Sequence, residues 1–176
     1  GSAVVAWDWS RGAEVARHDA GEGGVADVTV DPTGKAVLFA DRRGALSSLS
    51  LELRGPRVVA RLGDAPRALR ASGGVAAAIL GSGELRVIDL ATGRELSSRK
   101  TKIDYGAPLL ALSPSGARVF YADAGGYLVA PTRGGAPSKV GLESVFEAAF
   151  DGEDTVVASA GSGLTRWEAG KARPLD

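Results

Sequence analysis

Serine, histidine and carboxylate residues are the groups in this chain whose spacing could support chemistry. Gly81-Ser82-Gly83 and Gly161-Ser162-Gly163 each place a serine between glycines, but a nucleophile elbow has the pattern Gly-x-Ser-x-Gly between a strand and a helix. Strand-like apolar runs flank both serines, so they are predicted to lie in hairpin turns. His18 is the one imidazole available for a serine–histidine pair. It ends a predicted strand, and we expect a surface or edge residue.

Acidic and glycine-rich segments offer metal or phosphate binding as alternatives. Asp151-Gly152-Glu153-Asp154 gathers three carboxylates but lacks the Asp-x-Asp-x-Asp-Gly spacing that wraps calcium. It is predicted to be a solvated turn, with weak cation binding as the alternative. Gly34-Lys35 and Gly170-Lys171 lack the upstream glycine and following Ser or Thr of a phosphate loop. With one histidine and no cysteine, we expect no metal, no cofactor and no enzymatic activity.

The basic run and two tryptophan residues are predicted to lie on an outer strand and between sheets, respectively. The basic run Arg94, Arg99, Lys100 and Lys102 is predicted to be a solvated outer strand whose charges discourage edge pairing; docking of an acidic partner is the alternative. Trp7 and Trp167 each end a predicted strand and are expected to pack between sheets. The position of Trp9 is left open.

Composition limits the classes of partner. The 176 residues suffice for one domain with a sizeable core. Lys and Arg number 21, as do Asp and Glu; this balance argues against nucleic-acid binding, which depends on excess positive charge. The longest apolar runs, such as Val75 to Leu80, have strand length, whereas a membrane-spanning helix needs roughly 20 residues. No nucleic-acid partner and no membrane span are predicted.

The first two residues and the absence of cysteine bear on how the chain was produced and on its cellular compartment. Gly1-Ser2, in a chain without methionine, is typical of a cloning scar left by tag removal. Residues 3–176 are therefore predicted to be an excised piece of a longer protein. A cysteine-free chain fits oxidising and reducing compartments alike, with the cytoplasm slightly favoured.

The elements that must position these residues recur along the chain. An apolar run, a short turn and a second apolar run form a tight hairpin when Pro, Gly, Asp or Ser occupy the turn. Four such pairs are predicted: Val25 to Val30 with Lys35 to Ala40, Ala68 to Ala71 with Val75 to Leu80, Leu109 to Leu112 with Ala117 to Ala122, and Val145 to Phe150 with Thr155 to Ala160.

Each pair continues through a glycine-bearing turn into a third and a fourth strand. The predicted third strands are Ala45 to Leu51, Glu84 to Asp89, Tyr127 to Pro131 and Leu164 to Glu168. The predicted fourth strands are Val58 to Leu62, Glu95 to Arg99, Ser138 to Leu142 and Ala172 to Leu175. The turn glycines Gly44, Gly83, Gly125 and Gly161 are 39, 42 and 36 residues apart. Such a period of four strands is typical of a propeller blade.

Several of these residues resemble the WD-repeat β-propeller family. Trp7-Asp8 at a strand end resembles its name-giving pair, and Ile88-Asp89 and Trp167-Glu168 occupy matching places in later copies. Leu49-Ser50 and Ala130-Pro131 are degraded versions, and the Gly-His pair of the family is absent. The chain is similar to a divergent bacterial member, and the resemblance covers nearly its whole length.

The predicted fold is all-β. Residues 3–176 form a single β-propeller or propeller segment with four full blades of four antiparallel strands, preceded by an N-terminal half blade at residues 3–18. A blade face measures roughly 300 Å², so leaving one face in water forgoes on the order of 7 kcal/mol. We therefore expect either ring closure or end-to-end association of copies.

Function is predicted from the resemblance, which implies a binding surface on one propeller face. The loops joining second to third strands and fourth to first strands would form it, with these residues as candidates: Arg42, Arg43, Ser82, Glu84, Asp104, Tyr105, Asp123 and Tyr127. Mixed charge with tyrosines suits a protein or peptide partner, so we expect a non-catalytic interaction scaffold. The alternatives are a self-assembly module acting through its open blade edges, and a propeller with a small-ligand, hydrolase or lyase site in its central channel.

Overall fold

The chain is built almost entirely of β-strands. The computed structural model describes residues 3–31, 33–50, 55–102, 108–161, 163–168 and 170–175; the predicted cloning scar at residues 1–2 lies outside them. These residues contain eighteen strands and one 3-10 turn, Gly21–Gly23. The strands form one two-stranded sheet and four four-stranded sheets, all antiparallel. The predicted fold class, four full blades preceded by half a blade, is confirmed.

The strands follow one another in chain order within each sheet. The N-terminal sheet contains β1 (Ala3–Asp8) and β2 (Ala13–Asp19). The first full sheet contains β3 (Val25–Val30), β4 (Ala36–Asp41), β5 (Ala45–Ser50) and β6 (Pro56–Arg61). The second contains β7 (Pro66–Ser72), β8 (Val75–Leu80), β9 (Glu84–Asp89) and β10 (Glu95–Lys100). The third contains β11 (Leu110–Leu112), β12 (Arg118–Asp123), β13 (Gly126–Pro131) and β14 (Ser138–Val140). The fourth contains β15 (Val145–Phe150), β16 (Thr155–Ala160), β17 (Gly163–Glu168) and β18 (Lys171–Pro174).

The turns between first and second strands close as their residue types predict. The Gly34 amide donates to the Asp31 carbonyl over 2.8 Å, and the Gly116 amide donates to the Ser113 carbonyl over the same distance. Both glycines have positive φ, 70° and 71°, where a side chain is unfavourable. The repeated sequence pattern therefore produces the same backbone geometry in the first and third full sheets.

The first strands of the full sheets lie next to one another. β3 contacts β7, β7 contacts β11, and β11 contacts β15. The Asp27 carboxylate on β3 also accepts a 2.7 Å hydrogen bond from the Leu69 amide on β7. The sheets consequently radiate from a shared inner row of strands, as blades do in a propeller.

Apolar side chains fill the layers between neighbouring sheets. One buried cluster joins each sheet to the next, from the two-stranded sheet through to the fourth full sheet. In the second full sheet, every residue of Val75–Leu80 is buried: Ala77 and Ile79 pack toward the third sheet, while Ala76, Ala78 and Leu80 pack toward the first. Successive strand residues point to opposite faces, so this central strand is apolar throughout.

Tryptophan packing differs between the two ends of the fold. Trp167 is 6% exposed and lies in the layer between the third and fourth sheets, which confirms the expectation for it. The expectation for Trp7 is wrong: Trp7 is 55% exposed. It belongs to the terminal two-stranded sheet, whose outer face has no neighbour among the described residues, and its register shifts at a bulge between Ala6 and Trp7. Trp9 lies in the following turn and is 92% exposed.

Candidate binding surface

One end of the molecule collects the loops in which the candidate residues were predicted. In an antiparallel four-stranded sheet, the turn between second and third strands lies at the same end as the entry to the first strand. We call this end the top face; among the described residues it comprises turn residues 41–44, 80–83, 123–126, 160–161 and 163 with connections 20–24, 62–65 and 141–144. Backbone bonds join the two sets: Arg42 amide to Gly23 carbonyl (3.3 Å), Gly81 amide to Ala65 carbonyl (2.8 Å) and Gly161 amide to Ser144 carbonyl (3.3 Å).

The predicted candidates occupy different parts of this face. Arg42, Arg43 and Ser82 are exposed turn residues; the Ser82 amide donates to an Asp64 carboxylate oxygen over 2.8 Å. Glu84 is half-buried and bonds the Arg86 guanidinium at 3.0 Å, so its carboxylate is engaged within its own sheet. Asp104 and Tyr105 lie outside the described residues.

Asp123 and Tyr127 are the candidates that meet in one place. They line a cleft of about 770 Å³ on the top face, at the third sheet and the connection to the fourth, and we call it the top cleft. Its other charged or polar lining residues are Lys102, Lys139, Glu143 and Ser144. This volume is within the range of ligand-binding clefts, roughly 300–1,000 Å³.

Tyr127 is held rigidly at the edge of the top cleft. Its ring stacks on Phe120 with centroids 5.9 Å apart and planes 11° apart. Its hydroxyl oxygen accepts a 2.8 Å hydrogen bond from the Val145 amide, which links the third sheet to the first residue of the fourth. The half-buried ring is therefore a fixed aromatic surface.

The connection that closes the top cleft carries an unusual backbone conformation. Ser144 has φ 51°, the one positive φ at a non-glycine position among the described residues. Its carbonyl accepts the Gly161 amide bond at the next sheet's turn. Residues other than glycine rarely adopt the left-handed conformation, and those that do cluster at functional sites. The conformation of Ser144 therefore favours a functional role for the top cleft.

The electrostatics of the top cleft are mixed. The Asp123 carboxylate accepts a 2.6 Å hydrogen bond from the Lys102 backbone amide. This bond ties the residue two positions after β10 to the turn of the third sheet. Lys102, Lys139 and Glu143 are exposed. No ion pair involves either lysine ammonium within the part of the chain that the structure describes. The cleft is thus lined by two lysine ammonium groups and two carboxylates, of which that of Asp123 is bonded to the Lys102 amide and that of Glu143 is exposed.

The basic run of β10 divides into two environments. The exposed Lys100 and the half-buried Arg99 belong to the outer strand β10, and the Arg99 guanidinium donates to the Gly135 carbonyl over 2.7 Å. Lys102 lies beyond the strand and lines the top cleft. Lys100 therefore fits the predicted solvated outer strand, Arg99 is half-buried and bonded to Gly135, and Lys102 lies beyond the strand at the top cleft.

The acidic turn at residues 151–154 connects two sheets. The Glu153 carboxylate accepts bonds from the Ser115 amide (2.7 Å) and hydroxyl (2.5 Å), and the hydroxyl bond lowers the pKa of Glu153. Asp154 forms a 2.6 Å ion pair with Arg118. The turn is exposed, as predicted, and two of its carboxylates bind the neighbouring sheet.

Metal-binding clusters and membrane-spanning helices are both absent from the described residues. No group of three or more histidine, aspartate or glutamate side chains in residues 3–31, 33–50, 55–102, 108–161, 163–168 and 170–175 could hold a metal ion. Over the same residues, no helix has the length and apolar character needed to cross a membrane.

Comparisons with known proteins leave the family open. No protein-family model matches the chain, and a search of curated proteins finds no match either. The chain is therefore classified by its architecture alone: four-stranded antiparallel sheets repeated around an inner row of strands.

Proposed function

We propose that the chain is a non-catalytic interaction scaffold, a divergent WD-repeat-like propeller segment that binds a peptide or protein loop in its top cleft. The observation that carries the proposal is the convergence of a fixed half-buried tyrosine, two lysines without ion pairs among the described residues and one glutamate around a cleft of about 770 Å³. Tyrosine is enriched at protein interfaces, and mixed polar rims surround them.

The WD-repeat likeness is supported by two aspartates that end equivalent strands. The Asp8 carboxylate at the end of β1 accepts bonds from the Ser10 amide (2.9 Å) and hydroxyl (2.7 Å). The Asp89 carboxylate at the end of β9 accepts bonds from the Thr92 amide and hydroxyl, both 2.8 Å. The same turn chemistry thus recurs at the end of the third strand in two copies, which is what divergence from one repeat would leave.

A bound peptide would carry at least one acidic side chain. The ammonium groups of Lys102 and Lys139 are the free cations of the top cleft among the described residues, and complementary charges speed association and select partners. Glu143 at the same cleft favours a basic residue elsewhere in the peptide. A neutral or wholly basic peptide would leave both lysines uncompensated.

Peptide display followed by charge reversal tests this proposal. Peptides selected on the wild-type chain should bind Lys102→Glu about tenfold or more weakly, because an attraction becomes a repulsion. Lys100→Glu is the matched control: it is an exposed lysine two residues away, on β10 and outside the cleft lining. It should bind the selected peptides as the wild type does.

Two results would reject the top cleft as the binding site. Selection that yields no peptide binding the wild type above background would remove the scaffold function for peptides. Equal binding by the wild type, Lys102→Glu and Lys100→Glu would place any binding elsewhere on the chain.

Self-assembly is the second candidate function, because apolar side chains are exposed on both terminal sheets. Val5 and Trp7 are exposed on the two-stranded sheet, and Phe146 (70%) and Leu164 (54%) are exposed on the fourth full sheet. No core cluster of the described residues joins these two sheets. Copies associating end to end would cover both faces.

A further inference from the structure

The two-stranded N-terminal sheet has an open edge on its inner side. The turn that Asp8 caps resembles the turn that Asp89 caps at the end of β9, so β1 corresponds to a third strand and β2 to a fourth. A third strand in a full sheet pairs with a second strand on its inner side, as β9 pairs with β8. Among the described residues, β1 pairs with β2 alone. Its other edge therefore presents backbone donors and acceptors to which a further strand can bind.

The first full sheet is uncovered at the same place. Val28 and Val30 on β3 lie directly opposite Phe39 and Val37 on β4, so all four side chains are on the face that meets the two-stranded sheet. Phe39 and Val37 are buried in a cluster with Val4 of β1, whereas Val28 is 47% exposed and Val30 is 58% exposed. We call the space beside the inner edge of β1 and over Val28 and Val30 the N-terminal notch.

The residues equivalent to Val28 are covered in every later sheet. Leu69, Leu110 and Ala148 hold its position, because each pairs with the fourth residue of the second strand in its sheet. Leu69 is 0% exposed and Leu110 is 5% exposed, and the half-buried Ala148 packs against the cluster between the third and fourth sheets. In these three cases the preceding sheet has a first and a second strand. The exposure of Val28 therefore follows from the two-stranded sheet having neither among the described residues.

The hairpins at the equivalent places indicate which ligand fits the notch. In each full sheet a first and a second strand form an antiparallel hairpin, and the second strand is largely apolar on both faces. All residues of Val75–Leu80 are buried, and Ala40 on β4 packs in the cluster that contains Leu69. A β-hairpin with an apolar second strand would form backbone hydrogen bonds with β1 and place apolar side chains against Val28 and Val30.

A second copy of the chain is a poor source of this hairpin. The four hairpins of this kind among the described residues, β3–β4, β7–β8, β11–β12 and β15–β16, are each part of a four-stranded sheet. A second copy would have to break one of its own sheets to supply one, whereas a different polypeptide would not.

From these contacts we propose that the N-terminal notch binds a β-hairpin of a different polypeptide, whose apolar second strand pairs antiparallel with β1 and covers Val28 and Val30. The notch lies away from the top cleft, which is lined by the third sheet and the connections beside it. The hairpin site therefore does not depend on the functions proposed above.

A synthetic hairpin tests the site. The probe is a fluorescein-labelled peptide with the sequence of residues 25–41, which form β3, its turn and β4 in the chain. Fluorescence anisotropy should show saturable binding of this peptide to the whole chain. The same peptide with Ala40→Asp should bind about tenfold or more weakly, because it brings an unpaired carboxylate to a position that is 0% exposed in the full sheet.

Valine variants of the chain locate the binding. Val30→Asp should weaken binding of the probe about tenfold or more by placing a charge in the apolar notch, and Val30→Ile should bind as the wild type does. Val58→Asp is the matched control, since Val58 is 55% exposed on β6, the outer strand of the same sheet. It should leave binding unchanged. Circular dichroism checks that each variant is folded.

Hydrogen exchange on the wild type gives a test that needs no variant. The probe should slow amide exchange in β1, Ala3–Asp8, because added hydrogen bonds protect its inner edge. Exchange in β18, Lys171–Pro174, should not change, although β18 is also an edge strand.

Four results would overturn the hairpin site: no binding of the probe, equal binding of the Ala40→Asp peptide, equal binding by Val30→Asp, or unchanged exchange in β1. Self-association of the wild type that Val30→Asp abolishes and Val58→Asp preserves would identify a second copy as the occupant, and it would overturn the assignment to a different polypeptide. Failure of peptide display at the top cleft would leave these results unaffected, because Lys102 does not border the notch.

Discussion

Individual carboxylates in this protein act mainly as caps of turns. Asp89 accepts two 2.8 Å bonds from Thr92, and Asp8 does the same for Ser10. The Thr92 hydroxyl bond is the main cause of a pKa of Asp89 below its ordinary value of 3.8, because hydrogen bonds to a carboxylate favour the charged form. These hydrogen bonds fix the backbone of the two turns that follow Asp8 and Asp89.

The lowered pKa of Asp89 predicts a pH-dependent contribution to stability. A folded-state pKa below the unfolded value means that the contribution is complete above about pH 3.8 and is lost as the pH falls through the folded value. Asp89→Asn should therefore lower the melting temperature at neutral pH, and its difference from the wild type should shrink below about pH 3.8. Calorimetry across this pH range measures both.

Glu22→Gln serves as the control for this pH series, since Glu22 is an exposed residue of the 3-10 turn. It should change the melting temperature little at any pH. A wild-type to Asp89→Asn difference that stays constant down to pH 2 would contradict the assigned cause.

At the level of elements, close approach between turn and connection builds the top face. A Cβ at Gly44 would lie 2.7 Å from the Asp64 carbonyl oxygen and 2.8 Å from its amide nitrogen. Gly44 also has φ 77°, and its carbonyl accepts the Leu62 amide over 2.6 Å. The turn of the first full sheet can therefore meet the connection to the second only with glycine at this position.

Two glycine substitutions separate close approach from backbone conformation. Gly34 has φ 70° but open space where a Cβ would be, so Gly34→Ala should cost only the left-handed strain, about 1 kcal/mol. Gly44→Ala adds a clash with backbone atoms and should cost about 3 kcal/mol or more. Urea denaturation of the two variants gives the comparison, and equal losses of unfolding free energy would show that Asp64 moves aside freely.

At the scale of the whole molecule, each sheet depends on its neighbours for a dry face. The second full sheet is covered on both sides, whereas the two-stranded sheet and the fourth full sheet each have a core cluster on one side. Exposed apolar residues accordingly concentrate on these terminal sheets. An exposed apolar face on a terminal sheet favours packing against a further blade or a second copy of the chain.

Association in solution should therefore depend on the terminal apolar residues. Sedimentation velocity on the wild type should show concentration-dependent association, and Trp7→Ser should weaken it about tenfold by removing a large apolar side chain from the contact. Trp9→Ser is the matched control, because Trp9 is exposed in the turn that follows β1. A wild type that remains monomeric at every concentration would contradict the self-assembly candidate.

Strand identity and repeat number could be predicted from the sequence because they depend on local chemistry. Apolar runs of strand length and turn residues at a near-constant interval determined all sixteen strands of the full sheets, with boundaries correct to about two residues. Trp167 was correctly expected in the core because it ends a predicted third strand. The third full sheet covers that end of the strand.

Only the tertiary structure decided which residues share a site. Lys102 follows β10, Lys139 lies on β14, and Glu143 and Ser144 lie in the connection after β14. The separation of Lys102 from the other three in the sequence carries no signal of proximity; comparing connections between repeats could have drawn attention to residues 141–144. Trp7 had a strand-end pattern like that of Trp167, yet it is exposed because no described residue covers the outer face of its sheet. Local periodicity determines strands, whereas clefts and buried faces depend on which sheets become neighbours.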